Sequence, residues 1–148
     1  MRKVGGMVAM AALLAACSSP VSLTATVTAV ASTNDALGGT AQLVVTVVNT
    51  GPPIPHLGLV FRTRDRWYET HHVTDLGGCT VSTDLSAFDC GDLPQGASAT
   101  YSFSGTTTAA GSFHYEMALK ELIQPYDYVN EHSDGPDLQV WDEQVNPA

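Results

Sequence analysis

The stretch "TAQLVVTVVNTGPP", residues 40–53, joins a run nearly continuous in Val and Leu to a cluster of turn residues. β-Branched residues in so short a run suit a pleated, largely buried strand, and Asn49-Thr50-Gly51-Pro52-Pro53 supplies the turn chemistry that ends it. Working outward, the same period of two recurs along the chain. Val21, Leu23, Ala25, Val27 and Ala29 alternate with Ser22, Thr24, Thr26 and Thr28. Leu57, Leu59 and Phe61 alternate with His56, Gly58 and Val60, and Ala99, Tyr101 and Phe103 with Ser98, Thr100, Ser102 and Ser104. Phe113, Tyr115, Met117 and Leu119 alternate with His114, Glu116 and Lys120, Ala118 being the exception, and "DLQVWD" (137–142) reads as a last strand. Gly38-Gly39, Gly77-Gly78, Pro94-Gln95-Gly96 and Asp134-Gly135-Pro136 separate the runs. "EMALKELI" (116–123) has helical propensity, but its first half continues a period-two run, so it reads as strand followed by irregular loop. The pattern predicts an all-β fold, an antiparallel β-sandwich of roughly seven strands, with no internal repeat and no second domain.

The N-terminus carries a different signal. Arg2 and Lys3 precede an uncharged run from Val4 to Ala16 that is too short to span a bilayer and has the length and flanks of a secretory signal. Leu14-Ala15-Ala16-Cys17 resembles the lipobox of bacterial lipoproteins. The resemblance implies cleavage after residue 16 and acylation of Cys17, with residues 17–22 as a short leader and 23–145 as the domain. Two or three acyl chains make an effectively permanent anchor. The lipid bilayer is thus the first expected partner, on the extracytoplasmic side of a bacterial membrane. Ser18 is not a retention aspartate, which favours the outer membrane in a two-membrane cell; in a one-membrane cell the same lipid would hold the chain to the outer face of the plasma membrane. Loss of Arg2 and Lys3 leaves four basic residues against fifteen acidic ones, so the formal charge moves from −9 to −11. That balance argues against nucleic acid as a partner.

With Cys17 lipidated, Cys79 and Cys90 form an even pair in an oxidising compartment. They enclose "TVSTDLSAFD", and a hairpin turning near Asp84-Leu85 would pair 79 with 90 and 81 with 88. No C-x-x-C spacing points to a metal thiolate or a redox motif, so a structural disulfide is expected.

"VTVVNTGPP" (45–53) also resembles the "tVtNtGp" signature of the conserved repeat domain of bacterial surface proteins, which is related in build to CARDB adhesion-type modules and immunoglobulin-like sandwiches. "GCTVSTDLSAFDCGDLPQGASATYSFSGTT" (78–107) is similar to its second signature, with Cys90, Gly91, Leu93, Gly96 and Ser98 matching a "G-x-L-x-x-G-x-s" turn after two cysteines. The resemblance covers roughly residues 22–142 and implies an immunoglobulin-like sandwich. Two stretches depart from it, "RTRDRWYETHHVTDL" (62–76) and the acidic segment 125–137. A private function is expected there.

Within the first departure, Arg62, Arg64 and Arg66 recur at period two, as on one face of a continued strand. Trp67 and Tyr68 beside them either form a binding edge or cover the end of the sandwich. These five residues are the candidate contacts for an envelope protein or glycan. His71, His72 and Asp75, with His56 or His132, have metal-ligating side chains, but adjacent histidines on a strand point to opposite faces. No metal or other cofactor is therefore expected. Asp127, Glu131, Asp134 and Asp137 lack the D-x-D-x-D-G pattern of a calcium loop and read as a solvated acidic turn. No G-x-S-x-G, H-E-x-x-H, S-x-x-K or glycine-rich phosphate loop is present, so a non-enzyme is expected. The sequence reads as a lipid-anchored, immunoglobulin-like envelope module with an interaction or structural role. A ligand- or metal-carrying lipoprotein, or an accessory subunit of an envelope enzyme or transporter, is the alternative.

Overall fold

A computed structural model of the protein describes residues 25–123, 127–129 and 138–148. Among them the chain forms β1 (Ala25–Ala31), β2 (Asn34–Ala36), β3 (Thr40–Asn49), β4 (Leu57–Phe61), α1 (Trp67–Thr70), β5 (His71–Asp75), β6 (Thr80–Ser82), β7 (Ala87–Asp89), β8 (Ser98–Thr107), β9 (Gly111–Ile123), β10 (Asp127–Val129) and β11 (Leu138–Asn146). Seven of these strands have five residues or more; β2, β6, β7 and β10 have three each. The strands build two facing sheets, one in the order β1-β3-β8-β5 and the other β2-β11-β9-β4-β7-β6, with β10 beside β9. The fold is the expected antiparallel immunoglobulin-like sandwich, with one parallel pair, β2 against β11. The sequence positions taken as signal, lipobox and leader (1–22) lie outside the described residues, as do His132 and most of the acidic segment.

Alternation sets which side of each strand is buried. On β3, Ala41, Leu43, Val45 and Val47 face inward and are fully buried, while the residues between them face out. They meet Leu59 and Phe61 of β4 and Tyr115, Met117 and Leu119 of β9 in one core. Phe88 of β7 stacks on Phe103 of β8 with ring centroids 4.3 Å apart, joining the two sheets at mid-core. Each such side chain contributes about 1.5–3 kcal/mol on burial.

Two expectations are corrected here. β9 does not turn into irregular loop after its first half; it stays a strand to Ile123 and pairs with β4 through Glu121. The helical propensity of 116–123 is overridden because those backbone groups are taken up by β4 and β10 on either side. Val60, read as outward, is also buried. β4 is covered on both faces, since Val60, Ala87 and Leu122 form a second small core behind the sheet. Gly58 is required in that arrangement, because a Cβ there would collide with the Leu122 side chain.

Asn49 continues the inward phase of β3 and is buried. Its Nδ2 donates to the carbonyls of Pro52 (2.9 Å), Pro94 (3.2 Å) and Leu93 (3.3 Å), and its Oδ1 accepts from Gly51 N–H at 3.0 Å. One amide thus ties the Asn-Thr-Gly-Pro-Pro turn to the Leu93-Pro94 turn. Nearby, Ile54 and Leu93 exchange both backbone hydrogen bonds. The hairpin β6–β7 has the expected register, Val81 opposite Phe88, with residues 83–86 as its turn. Cys79 and Cys90 are joined by a disulfide across its open end.

Replacing both cysteines by alanine should lower unfolding free energy by about 3 kcal/mol, the effect of a closed loop of this size. Urea unfolding of the oxidised protein and the double variant measures it, and coincident curves would show that the bridge contributes nothing. Asn49→Ala should cost about 2–3 kcal/mol, because the buried Gly51 N–H and Pro52 O lose their partner, while Leu93 O and Pro94 O keep only Ile54 N–H and Ala97 N–H. A loss below 1 kcal/mol would mean that water replaces the amide.

Candidate functional site

The stretch 62–76 leaves the sheet one residue after β4. Arg62 N–H still donates to Glu116 O (2.8 Å), but Thr63 to Arg66 turn away before the single helical turn α1. Thr63 Oγ1 donates to the carbonyls of Asp65 (3.2 Å) and His114 (3.1 Å), and Asp65 Oδ2 accepts from His114 N–H (2.9 Å). The arginines therefore do not form the expected ladder on a strand face. Arg62 and Arg64 are exposed, whereas Arg66 is half-buried and paired with Glu69 at 2.9 Å.

Trp67 is an internal residue, 1% exposed. Its indole stacks on the His71 imidazole with centroids 4.3 Å apart and meets Phe103 edge-on. Tyr68 is half-buried and packs edge-on against Phe61 and Phe88, and burial pushes its hydroxyl pKa up. Of the two readings of this pair, the structure gives the second: they cover the end of the sandwich.

Beneath Trp67 lies a polar cluster whose members are far apart in the sequence, His71 and Glu143 by 72 residues. His71 of β5 and Glu143 of β11 reach toward each other from opposite sheets, Nε2 to Oε1 3.0 Å, and neither side chain has any exposed surface. His71 Nδ1 lies 2.9 Å from Trp67 O and 3.0 Å from Thr70 Oγ1. Tyr115 OH donates to Glu143 Oε2 at 2.9 Å and lies 2.7 Å from Thr70 Oγ1. Asp35 of β2 brings a second carboxyl to Glu143, and its Oδ2 is buried with no donor among the described residues facing it. Burial alone would raise the Glu143 carboxyl. The hydrogen bond and charge of His71, helped by Tyr115 and Asp35, outweigh that and hold it below the usual glutamate value. Burial, then the neighbouring Glu143, pushes Asp35 up, so of the two carboxyls Asp35 keeps its proton to the higher pH. Burial also pushes the Tyr115 hydroxyl well above its ordinary value.

Hydroxyl, imidazole and carboxylate in the order Thr70–His71–Glu143 are the parts of a nucleophilic relay. The chemistry available here is different. The imidazole is sealed, and the Thr70 hydroxyl is taken by Tyr115 and by the carbonyls of Arg66 and Trp67. The arrangement can bolt one sheet to the other and hold protons; it offers no surface to a substrate. The signal for it was the phase of β11: Glu143 shares the inward side with Trp141 and Val145, an acid where an apolar residue is expected.

The other candidates do not converge. His72 points outward from β5, away from His71, and Asp75 Oδ1 accepts from Gly77 N–H at 2.8 Å. His56 lies 3.6 Å from Asp89. Exposed His114 sits between Asp142 (2.6 Å) and Glu116 (3.4 Å), whose hydrogen bonds raise its pKa. No group of three or more His, Cys, Asp or Glu among the described residues is placed to hold a metal ion. Cys17 lies outside the described residues.

The CARDB domain of a Pyrococcus furiosus protein, crystallised in complex with di-metal ions, matches this chain with a TM-score of 0.51 at 15% identity, over 85% of this chain and 96% of that one. The fold is CARDB-like. A solution NMR structure of the same domain agrees, with a TM-score of 0.51 at 14% identity, over 82% of this chain and 94% of that one. No family model matches the sequence, and no curated protein matches it significantly.

The polar cluster makes the stability of this CARDB-like sandwich depend on pH. Glu143, lowered on folding, stabilises fully above its ordinary value of 4.5, and that contribution disappears as pH falls through the lower folded value. Asp35, raised on folding, has the opposite sense: its contribution is complete below 3.8 and is lost as pH rises through the higher folded value. Glu143→Gln should cost about 3 kcal/mol at neutral pH, the order expected when one partner of a buried pair is removed. It should also flatten the acid limb of stability against pH. Urea titrations across that range test this, and an unchanged acid limb would assign the effect to other carboxylates.

Proposed function

We propose that this chain is a non-catalytic module of the bacterial cell envelope, held to a membrane by lipid on Cys17. The observation that carries the non-catalytic reading is the sealing of the His71–Glu143 pair, where hydroxyl, imidazole and carboxylate meet with no exposed side-chain surface on the pair. The anchor is supported by the lipobox-like Leu14-Ala15-Ala16-Cys17, and the Cys79–Cys90 bridge is of the kind an oxidising compartment maintains.

Strand register supports an outward-facing role for the departing loop. Ala25, where the described chain enters the domain, pairs with Asn49 at one end of the sandwich. Thr40, Thr106 and His72 share a row at the other end, with α1 beside them. Exposed Arg62 and Arg64 then lie away from the point of tethering, where an envelope protein or glycan would meet them. Trp67 takes no part in that contact.

Cys17→Ala should move the protein from the detergent phase to the aqueous phase in membrane fractionation and remove the acyl mass from its N-terminal peptide. A variant that stays in the detergent phase would overturn the anchor. A metal-carrying role is the second reading, favoured by the di-metal ions in the similar CARDB structure. Calcium or zinc titration of the full chain by calorimetry decides it, and binding of either would displace the metal-free reading.

A further inference from the structure

Every outward position of β1, β3 and β8 is Thr, Ser, Val or Gln. The chain has fifteen acidic and six basic residues, yet none stands on this face. The outer face of the opposite sheet carries His114, Glu116 and Asp142. Asp75 borders the uncharged face on the bulged strand β5 and is tied to Gly77 N–H.

The register puts these side chains on a grid. Thr28, Thr46 and Thr100 form one row across the three strands, with Thr46 Oγ1 and Thr100 Oγ1 hydrogen-bonded at 3.2 Å. The flanking rows are Thr26, Val48, Ser98 and Val30, Val44, Ser102. Rows repeat about every 6.8 Å along the strands and members about every 4.8 Å across them. The face therefore offers methyl groups and rotatable hydroxyls, each hydroxyl a donor and an acceptor, with no formal charge.

From this we infer that the outer face of β1–β3–β8 binds a neutral polysaccharide, whose hydroxyls and C–H surfaces are the same kinds of group that this face presents. Anionic polymers need cations that the face lacks. A second copy of the chain is disfavoured by area. Three strands of this length present roughly 400 Å², about half of the ~800 Å² per partner that a stable protein interface buries. A single glycan chain is not limited in that way, because a few sugar units lying along one row fit within that area. The inference adds a contact surface separate from Arg62 and Arg64 to the interaction role proposed above, and it does not depend on the anchor.

The test is co-sedimentation of the purified full chain with insoluble chitin and with cellulose. Wild type should be depleted by at least one of them. Thr28→Arg/Thr100→Arg, which breaks the flat grid, should bind at least tenfold less, and Val140→Arg on the opposite sheet should bind as wild type does. Thr28→Val/Thr46→Val/Thr100→Val, which keeps shape and strand propensity, should also bind less, and circular dichroism confirms that each variant folds. Cys17→Ala should bind like wild type, so a failed anchor and a failed glycan site give different results. Three outcomes would overturn the inference: no depletion by either polymer, equal binding by the threonine variants, or a dimer in sedimentation velocity that those variants abolish.

Discussion

Between Asn49, the last residue of β3, and Leu57, the first of β4, the chain leaves one sheet and enters the other. A segment that does this has no ladder to pair its backbone groups, and buried amides and carbonyls left unpaired are costly. The Ile54–Leu93 backbone pair meets part of that need, and the Asn49 side chain meets the rest. Its amide bonds the carbonyls of Pro52, Leu93 and Pro94 while its oxygen takes the Gly51 N–H. Pro52, Pro53 and Pro55 bring no N–H of their own, which removes three donors that would otherwise need partners. The start of β4 and the approach to β8 are fixed by the same residue, so both sheets take their relative position from it.

The opposite end is fixed by a different chemistry. Asp35, His71, Tyr115 and Glu143 come from β2, β5, β9 and β11, so one network contacts both sheets and the short parallel strand. Burial of an ion pair seldom adds net stability; its effect here is on register. A one-residue slip of β11 would turn Glu143 to solvent and place Asp142 or Gln144 against His71. Between the two polar ends, the Phe88–Phe103 stack and the aliphatic rows of β3 and β9 supply the non-directional attraction. Polar groups at the ends fix the alignment, and apolar groups in the middle hold the layers together.

What could be read in advance follows from how local each signal was. Period-two alternation exposed β3, β8 and most of β9 because each buries one face. The cysteine hairpin was legible because its register depends only on residues 79–90. β4 was misread at Val60 because a strand covered on both sides loses its alternation, and what covers it, Leu122 and Ala87, is distant in sequence. The arginine ladder failed because spacing alone cannot say that a strand has ended. The end is set by the hydrogen bonds of Thr63 and Asp65 to His114, some fifty positions on. The His71–Glu143 pair spans 72 residues and could be signalled in the sequence only by the inward phase of an acid.

An open sandwich has edges, and exposed edges invite pairing with other chains. Each edge here is blunted. β2 and β6 are three residues long. β5 carries a bulge between Val73 and Asp75 that interrupts its ladder. On β1, Ala29 N–H points away from β3 and is taken by Gln139 Oε1 at 2.9 Å, so a side chain from the other sheet occupies the edge donor. Edge pairing is discouraged, and the net charge of −9 adds long-range repulsion between copies, while β1–β3–β8 carries no charge on its outer face. That face can stay uncharged and still not aggregate, because it is flat, hydroxyl-covered and too small for a stable self-interface. The acidic balance of the rest of the chain is what allows one neutral surface to remain open.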